Sequence, residues 1–549
     1  MLYRNLLRVQ GITASKLLNP VLKNTPNSEL LKTITKNSAV MSIAVFFSRI
    51  LGLIRDQVMA AFFGTSFIND AFNIAFYIPN LLRQLFGEGA LSAAFVPIYN
   101  EFGLKRGKKY QLYFALNVLS ILSFILLFLS FLGVILAPLI VKIIYPGLSV
   151  ETSDLAIRLC RLMFPYLFFI GLSSTFIAIL NSHHKFFITG LSSGLLNIGW
   201  IAFLLFGNYV LKKETSDLVF FAAYGVLFGG FLQTIINLPI LKKIGYRFIL
   251  IFRAKTTAMK MLWKRFLPGV IGVGVREIYL VTDALIASFL PIGSITALGF
   301  GSRLMQLPLG IFGISVGTAV LPEYSRQFTE KRWSDISETL RYSIHFILYI
   351  LAPITVIMIM GSDVFIRLLF QRGLFDDNAV QMTRLALIFY TLGLSFFGLN
   401  QVITPLFYAA KDTKTPVKIA ASMLALNISL KIILMQSMAH AGIALGTSIT
   451  AAVQFIVLMI FIKKKVPDVL IFGFIKNIAK LAIILVFLIS VLWTYTRISP
   501  MTAGDFLSNL FISVILLILG FFSVAVGFHV LKPDYYKEVM EKVLRKLRK

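Results

Sequence analysis

The sequence has a single cysteine, Cys160, among 549 residues, and only five histidines. One thiol excludes both an intramolecular disulfide and a cysteine-based metal site, and Cys160 stands in an apolar run where a small buried side chain is expected. The histidines lack metal-ligand spacing, and His183 and His184 fall in a predicted loop. Because a glycine-rich nucleotide-binding loop is missing too, the sequence predicts no metal, no nucleotide and no catalytic residues.

Charged residues are also few, at 14% of the chain against 58% hydrophobic residues, and the mean hydropathy is +0.84. These values predict a polytopic membrane protein. Acidic residues are the scarcer sign, 24 against 53 lysines and arginines, so the net charge is +29. Because the basic residues cluster between long apolar runs, they indicate membrane topology, and no nucleic-acid partner is expected.

At about 20 residues per crossing, the apolar runs predict an all-α fold with fourteen transmembrane helices. Several runs are longer than a single crossing needs and contain Gly or Pro, which predicts tilted or broken helices around a cavity. The predicted spans are 36–63, 69–103, 112–144, 155–180, 188–210, 218–241, 267–290, 295–324, 341–369, 380–409, 417–436, 442–462, 474–495 and 506–530.

The basic clusters fall on alternate loops, which predicts that both termini are cytoplasmic. Residues 1–29 read as a cytoplasmic extension, either a surface helix or a disordered segment. The tail 532–549 reads as a basic helix that contacts anionic headgroups. The clusters are 105–109, 242–265, 326–341, 411–418, 463–465 and 532–549.

A faint internal repeat links the two halves of the chain. Val96-Pro97-Ile98-Tyr99, near the end of the second predicted span, recurs as Leu321-Pro322-Glu323-Tyr324 near the end of the eighth. Arg83 and Arg303 occupy comparable places upstream. A repeat after six helices predicts two pseudo-symmetric six-helix lobes with a binding site between them, an arrangement typical of transporters, followed by two extra helices.

Arginines stand inside the predicted spans, where each costs roughly 2.5 to 3.5 kcal/mol or more. Because an arginine keeps its proton and binds phosphate oxygens through two parallel hydrogen bonds, several together predict a cavity for a diphosphate. In the alternative interpretation, each arginine only pairs with a neighbouring carboxylate and holds the bundle together. The charged residues within the spans are Arg49, Arg55, Asp56, Asp70, Arg83, Glu88, Arg276, Glu277, Asp283 and Arg303.

Several motifs resemble those of the MurJ (MviN) family of lipid II flippases, and the resemblance runs from about residue 30 to the end of the chain. They include Ser48-Arg49-Ile50-Leu51-Gly52 with Arg55-Asp56, Asn69-Asp70-Ala71-Phe72, Ile78-Pro79-Asn80-Leu81-Leu82-Arg83 and Glu88-Gly89-Ala90-Leu91-Ser92-Ala93-Ala94-Phe95-Val96-Pro97. Others are Phe164-Pro165-Tyr166, Arg303-Leu304-Met305-Gln306-Leu307-Pro308-Leu309-Gly310 and Lys411-Asp412-Thr413-Lys414-Thr415-Pro416-Val417.

The resemblance implies the fold of the multidrug/oligosaccharidyl-lipid/polysaccharide (MOP) exporters, which the MATE transporters share. It implies an N-lobe at 30–241, a basic linker at 242–266, a C-lobe at 267–465, and helices at 466–531 that form a groove for a polyprenyl tail. The implied substrate and partner is lipid II, undecaprenyl-pyrophosphate-linked disaccharide-pentapeptide. The implied protein is a monomeric flippase of the bacterial inner membrane, with no enzymatic activity and no cofactor.

The resemblance also implies which residues bind the substrate: Arg49, Arg55, Asp70, Arg83 and Arg303. This chain departs from the family pattern at Ser302, where relatives often carry Asp, and at the charge pair Arg276-Glu277. Some members resemble sodium-coupled carriers, and here Asp283, Asn427 and Thr447 fit the places of their ligands. Lys431 stands where a second carboxylate is expected, so we predict either a tethered substitute for the cation or a plain ion pair.

The sequence favours a mechanism in which the pyrophosphate is held by cavity arginines while the lobes rock. The sequence leaves two candidates for the force that drives transport, the membrane potential and a monovalent cation. One alternative function is another MOP carrier, a polysaccharide-lipid flippase or a cation-coupled exporter, although the 79–90 motif disfavours it. A second is a membrane enzyme acting on polyprenyl pyrophosphate, which would need acid, base or metal-binding groups near one interface.

Overall fold

The structure is a computed structural model, and it describes residues 47–84, 90–247, 249–463, 465–466, 472–498 and 506–531. These residues are almost entirely helical, and none of them forms a strand, so the all-α prediction is confirmed. A bilayer offers no water to the peptide groups of an apolar segment, and the helix satisfies those groups internally.

The first half of the chain forms the N-lobe from nine helices. They are α1 (47–63), α2 (Phe67–Arg83), α3 (Ala90–Arg106), α4 (Lys108–Ile144), α5 (Val150–Met163), α6 (Tyr166–Ser182), α7 (Phe186–Leu205), α8 (Thr215–Ile235) and α9 (Leu238–Ile244).

The second half forms the C-lobe, and two further helices pack on its outer side. The helices are α10 (Thr257–Ala287), α11 (Ser294–Pro308), α12 (Ser315–Thr329), α13 (Trp333–Met360), α14 (Ser362–Phe370), α15 (Asp377–Leu392), α16 (Leu394–Ala409), α17 (Lys414–Lys463), α18 (Phe472–Ile498) and α19 (Phe506–Leu531). Leu488 of α18 and Leu516 of α19 are buried against Ile357 of α13 and Val364 of α14.

Breaks divide several of the long apolar segments, as the internal Pro and Gly predict. The pair α5 and α6 bends by 44° at Pro165, and the pair α15 and α16 bends by 42° at Gly393. Ala439 takes a positive φ of 49° and divides α17 in two. A π-helical segment at Leu309–Ile314 follows Pro308 and continues α11 into α12. Such wider turns are frequent at functional sites of membrane helices.

The described residues contain eight helices long and apolar enough to cross a membrane, or up to ten when each bent pair is one span. The predicted number, fourteen, therefore stays a prediction. One reason for the lower count is that α17 is counted once although Ala439 divides it. Another is that the first predicted span begins before the described residues.

The helix α10 belongs to both lobes. Met259, Leu262 and Phe266 of its first half are buried in the same apolar cluster as Phe95 of α3 and Phe114 of α4. Its last turns contact the C-lobe helices α17 and α11. One continuous helix therefore joins the core of the N-lobe to that of the C-lobe.

The two lobes touch on the face opposite the basic loops. The amide of Leu374 in the α14–α15 loop donates to the carbonyl of Ala61 on α1, at 2.8 Å. The amide of Gly147 in the α4–α5 loop donates to Oγ of Ser288 after α10, at 3.3 Å. These backbone contacts close the space between the lobes at that face.

Candidate functional site

Arg55 and Asp56 lie side by side on α1 and form an ion pair inside the molecule. Nε and Nη2 of Arg55 donate to Oδ1 of Asp56 at 3.1 and 2.8 Å. Their side chains are 14% and 8% exposed. Neighbours in a helix do not share a face, so the pair forms because the long arginine side chain turns back along α1.

Arg303 of α11 brings a second guanidinium to the same carboxylate. Its Nη1 donates to Oδ1 of Asp56, so one carboxylate of the N-lobe is shared between Arg55 and a cation of the C-lobe. The Arg303 side chain is 36% exposed, which makes it the most accessible of the three. With two cations and one anion, the cluster has a net positive charge at the boundary between the lobes.

A small polar cavity opens beside this cluster. Asn73 of α2 and Thr296 of α11 supply polar groups, and Phe300 of α11 supplies an aromatic wall. Because walls come from both lobes, any movement of one lobe against the other changes the volume and the position of Arg303 relative to Asp56. The lining residues are Asp56, Met59, Asn69, Asn73, Trp200, Thr296, Gly299, Phe300 and Arg303.

Two residues of α7 that the sequence analysis missed hold Arg55 in place. Nη1 of Arg55 donates to Oδ1 of Asn197 at 2.9 Å, and its guanidinium lies 4.6 Å from the centre of the Trp200 ring. Nδ2 of Asn197 donates in turn to the carbonyl of Ser48 on α1, at 3.2 Å. The signal in the sequence was a polar and an amphipathic residue three positions apart in an apolar run, which places both on one helix face.

Asp70, predicted to bind substrate, caps a helix of the opposite lobe. Its Oδ2 accepts from the amide of Gly293 at 2.6 Å, and its Oδ1 accepts from the amide and the hydroxyl of Thr296 at 2.9 and 2.7 Å. A carboxylate at a helix N-terminus satisfies amides that have no partner in the helix. Gly293 has φ of 90°, and a side chain there would meet the carbonyl of Thr65. Asp70 therefore ties α2 to α11 near the closed face.

The other two predicted arginines occupy different surroundings. Arg49 is exposed on α1, and its Nη1 lies 2.8 Å from the place where Gly310 would carry a Cβ. It thus reaches the π-helical segment of the C-lobe because Gly310 leaves room for it. Arg83 is half-buried at the end of α2, where its Nε donates to Oδ1 of Asn80 at 2.8 Å.

The residues predicted as a cation or ion-pair site are only partly brought together. Lys431 of α17 is fully buried and pairs with Asp283 of α10. Asn427 donates to Oγ1 of Thr450 at 3.2 Å, whereas the hydroxyl of Thr447 donates to the carbonyl of Ile443 within its own helix, at 3.0 Å. The ion pair is therefore present, without Asn427 or Thr447 bonded to it.

Three further charged residues were considered in the sequence. Glu277 is buried on α10. Glu88 and the side chain of Arg276 lie outside the described residues. In the part of the chain that the structure describes, no three His, Cys, Asp or Glu side chains meet as they would around a metal ion.

The sequence of this chain is similar to those of known membrane transporters. Residues 59–515 match the family model "Lipid II flippase MurJ". The chain is 35% identical over 422 residues to the probable lipid II flippase MurJ of Rickettsia prowazekii (strain Madrid E), covering 76% of this chain and 82% of the relative. It is 31% identical over 435 residues to the lipid II flippase MurJ of Burkholderia cenocepacia, covering 78% and 84%.

The fold of this chain is also similar to those of solved transporter structures. A lipid II flippase MurJ in an inward closed conformation matches with a TM-score of 0.75 and 30% identity, over 91% of this chain and all of the other. An inward-facing MATE-family multidrug resistance transporter of the MOP superfamily matches with a TM-score of 0.64 over 78% of this chain and 98% of the other. At 14% identity, this second likeness shows the fold alone.

Proposed function

The chain belongs to the lipid II flippase MurJ family, and from that premise we propose that it flips lipid II from the cytoplasmic to the outer leaflet of the bacterial inner membrane. It is a multi-pass membrane transporter and not an enzyme. The proposed substrate is undecaprenyl-pyrophosphate-linked disaccharide-pentapeptide. We propose that the protein works as a monomer with both termini in the cytoplasm.

The cluster of Arg55, Asp56 and Arg303 is the observation that carries this proposal. A diphosphate that leaves water loses a large hydration energy, and guanidinium groups in a cavity replace it through charge-assisted hydrogen bonds. Arg303 is the most accessible cation of the cluster, and its guanidinium pairs with Asp56. A pyrophosphate that displaces Asp56 from Arg303 would break the ionic link between the lobes.

We propose that transport proceeds by alternating access, and the positions of the lobe contacts support this. The backbone contacts at Ala61 and Gly147 and the Asp70 cap all lie toward the face opposite the basic loops. In this conformation a headgroup would enter the cavity from the basic, cytoplasmic side. Opening to the other side requires these bonds to break. The free energy of headgroup binding offsets the free energy needed to break them. Release of the headgroup requires the interaction between Arg303 and the pyrophosphate to weaken as the lobes move apart.

The coupling proposal rests on the pair of Lys431 and Asp283. Lys431 is fully buried and pairs with Asp283, so the carboxylate already has a cation that belongs to the protein. We propose that this ammonium removes the need for a bound sodium ion and that membrane potential biases the return step. A charge carried across the membrane gains roughly 2.3 kcal/mol per 100 mV, which is sufficient for such a bias.

Complementation is the direct test. A bacterium depleted of its own lipid II flippase should grow with the wild-type chain and fail with Arg303→Ala or Arg55→Ala at matched membrane levels. Arg158→Ala is the matched control, because Arg158 lies over the Phe220 ring away from the cavity. A fluorescent lipid II flipping assay in vesicles then separates transport from expression.

Failure of the well-expressed wild type to rescue growth would contradict the substrate assignment and favour another MOP carrier. Rescue by wild type and by both cavity variants would retain the function and reject the arginine cluster as the headgroup site. Loss of growth with Arg158→Ala as well would mean that the assay reports folding, and the flipping rates would then decide.

A further inference from the structure

The N-lobe has a second polar cavity that the transport site does not use. It is an open cup of about 900 Å³ at the end of the lobe that carries the basic loops. Its walls come from the end of α3, the start of α4, the α6–α7 connection and the end of α9. The central cluster instead lies between α1, α7 and α11, so the two cavities are built from different elements.

The charges that line the cup are all of one sign. These charges are the ammonium groups of Lys108 of α4 and Lys243 of α9, and the imidazole rings of His183 and His184 lie beside them as hydrogen-bonding groups. The lining residues that the structure describes include no carboxylate, and neither Lys108 nor Lys243 forms an ion pair with a described residue. Like charges gathered without a counter-charge raise the local potential and attract an anion.

Uncharged hydrogen-bond donors are placed among these cations. The amides of Asn100 and Gln111 line the cup, and neither side chain is bonded to another described residue. The Gln111 amide lies directly over Gly103, where a Cβ would sit 2.6 Å from its Nε2. Two ammonium groups together with these amide donors match the needs of phosphate oxygens, which accept several hydrogen bonds.

The floor of the cup is a fixed hydrogen-bonded group. Nε2 of His183 lies 2.7 Å from the hydroxyl of Tyr99, which lies 2.8 Å from the hydroxyl of Tyr246. Tyr99 and Tyr246 are fully buried. Burial, and then the positive charges of nearby residues, Lys108 foremost, lower the pKa of His183.

We propose that this cup binds a phosphate group, supplied either by the headgroup of an anionic lipid or by a free phosphate in solution. Lys108 and Lys243 provide the charge, and Gln111 and Asn100 provide additional hydrogen bonds. Exposed Phe187 and Leu104 next to the cup offer apolar contacts that suit a lipid whose headgroup occupies it. The site is separate from the transport cavity and does not depend on the substrate proposed above.

The test uses the full chain in phosphatidylcholine nanodiscs and two probes. Inorganic pyrophosphate is titrated by calorimetry, and the retention of phosphatidylglycerol is counted by native mass spectrometry. The variant is Lys108→Gln with Lys243→Gln. The matched control is Lys105→Gln with Lys242→Gln, which removes the same charge at the same end from residues that do not line the cup. Both proteins keep the central arginines, so the contribution of the transport site cancels in the comparison.

We expect at least one probe to bind about tenfold more weakly to the variant while the control stays near wild type. A loss limited to pyrophosphate identifies a free phosphate as the ligand, and a loss limited to phosphatidylglycerol identifies a lipid headgroup. Gly103→Leu, which fills the cup and leaves every charge in place, should lower the same affinity. Equal losses in variant and control, no loss in either, or full binding by Gly103→Leu would overturn the proposal.

Discussion

Asp56 governs the charge of the central cavity, because among the described residues it is the carboxylate that pairs with both guanidinium groups, Arg55 and Arg303. It is only 8% exposed and accepts from both Arg55 and Arg303. Removing one partner of a buried charged group leaves its counter-charges uncompensated. In this cavity the uncompensated charges are cations that a diphosphate can bind, so the carboxylate competes with the proposed headgroup.

We therefore predict that Asp56→Asn binds inorganic pyrophosphate about tenfold more tightly than wild type, since one negative charge has left the cavity. Flipping should become slower, because the free arginines release the headgroup less readily. Calorimetry and a vesicle flipping assay measure the two effects. Asp363→Asn, which removes a carboxylate bonded to Arg367 in α14, is the control. Weaker pyrophosphate binding by Asp56→Asn would contradict the competition.

Asp412 offers a prediction about pH outside the membrane. A hydrogen bond from Lys465, joined by bonds from the hydroxyl and amide of Thr415, holds the pKa of this carboxyl well below its usual range. Because the pKa of Asp412 is lower in the folded protein than in the unfolded chain, its bonds stabilise the folded protein at any pH above the usual pKa of a carboxyl group. This stability is lost as the pH falls from that usual pKa to the lowered pKa of the folded protein.

Asp412→Asn should consequently lower the melting temperature of the detergent-solubilised protein at pH 7. The difference in melting temperature from wild type should stay constant down to about pH 5. It should narrow only below about pH 4, where Asp412 of the unfolded chain begins to take up a proton while the folded carboxylate is still ionised. Thermal unfolding followed by tryptophan fluorescence measures it. A difference that narrows between pH 8 and pH 6 would assign the effect to another group.

The sequence predicts individual charges better than their partners. Arg55 and Asp56 are neighbours in the chain, so their proximity was certain before the fold was known. The link from Asp56 to Arg303, and the support of Arg55 by Asn197 and Trp200, depend on how α1, α7 and α11 pack. Side-chain spacing within one helix cannot give such contacts, because each partner comes from a distant part of the chain.

Among the helices, α11 is the one whose start is controlled by the other lobe. Its first amides are bound by Asp70 of α2 and not by a side chain of its own segment. Capping by a carboxylate contributes about 1 kcal/mol to helix stability. The same bonds hold the closed face together, so the cap is lost when the lobes separate there.

Asp70→Ala should therefore shift the population toward the state open at this face, by about fivefold for a loss of about 1 kcal/mol. A cysteine introduced at Thr65, which contacts Gly293, reports the opening through a membrane-impermeant maleimide. Native Cys160 is fully buried and adds little background. Asp217→Ala is the control, because Asp217 is an exposed acidic residue in the first turn of α8, within the N-lobe. Unchanged labelling in Asp70→Ala would show that the backbone contacts alone close the face.

Some of the helix breaks were marked in the sequence, and others were not. Pro165 and Gly393 mark real bends, because proline removes an amide donor and glycine allows a close approach, in this case to Ser448. The positive φ at Ala439 had no such signal, since an alanine in an apolar run favours a continuous helix. The packing of the two halves of α17 against each other decides that bend.

Considered as one molecule, the protein confirms the all-α transporter fold predicted from hydropathy and from the repeat after six helices. Tyr99 and Tyr324, the last residues of the two repeated motifs, are both fully buried and follow a proline inside helices α3 and α12. The site between the lobes was predictable only in outline. Its residues were expected as one arginine set, whereas Arg49 and Arg83 lie in surroundings different from those of Arg55 and Arg303.

Coupling is a property of the entire transporter, and the pair of Lys431 and Asp283 yields its prediction. Replacing sodium with choline at constant ionic strength and membrane potential should leave the flipping rate within about twofold of its value, whereas collapsing the potential should slow it. Lys431→Met should lower both stability and rate, because Asp283 then lacks its counter-charge. Ser429→Ala, an exposed change on the same helix, is the control. Stimulation of the wild type by sodium would contradict the substitution of a cation by Lys431.

The shared helix α10 also has a consequence for biosynthesis. The apolar cluster of the N-lobe includes Met259, Leu262 and Phe266, which follow the last helix of that lobe in the chain. A ribosome that synthesises the protein must therefore deliver residues up to 266 before this core can close, although all nine N-lobe helices have by then been inserted. Until that moment Phe95 and Phe114 lack part of their apolar cover, so the core of the N-lobe stays incomplete until the first half of α10 has been synthesised.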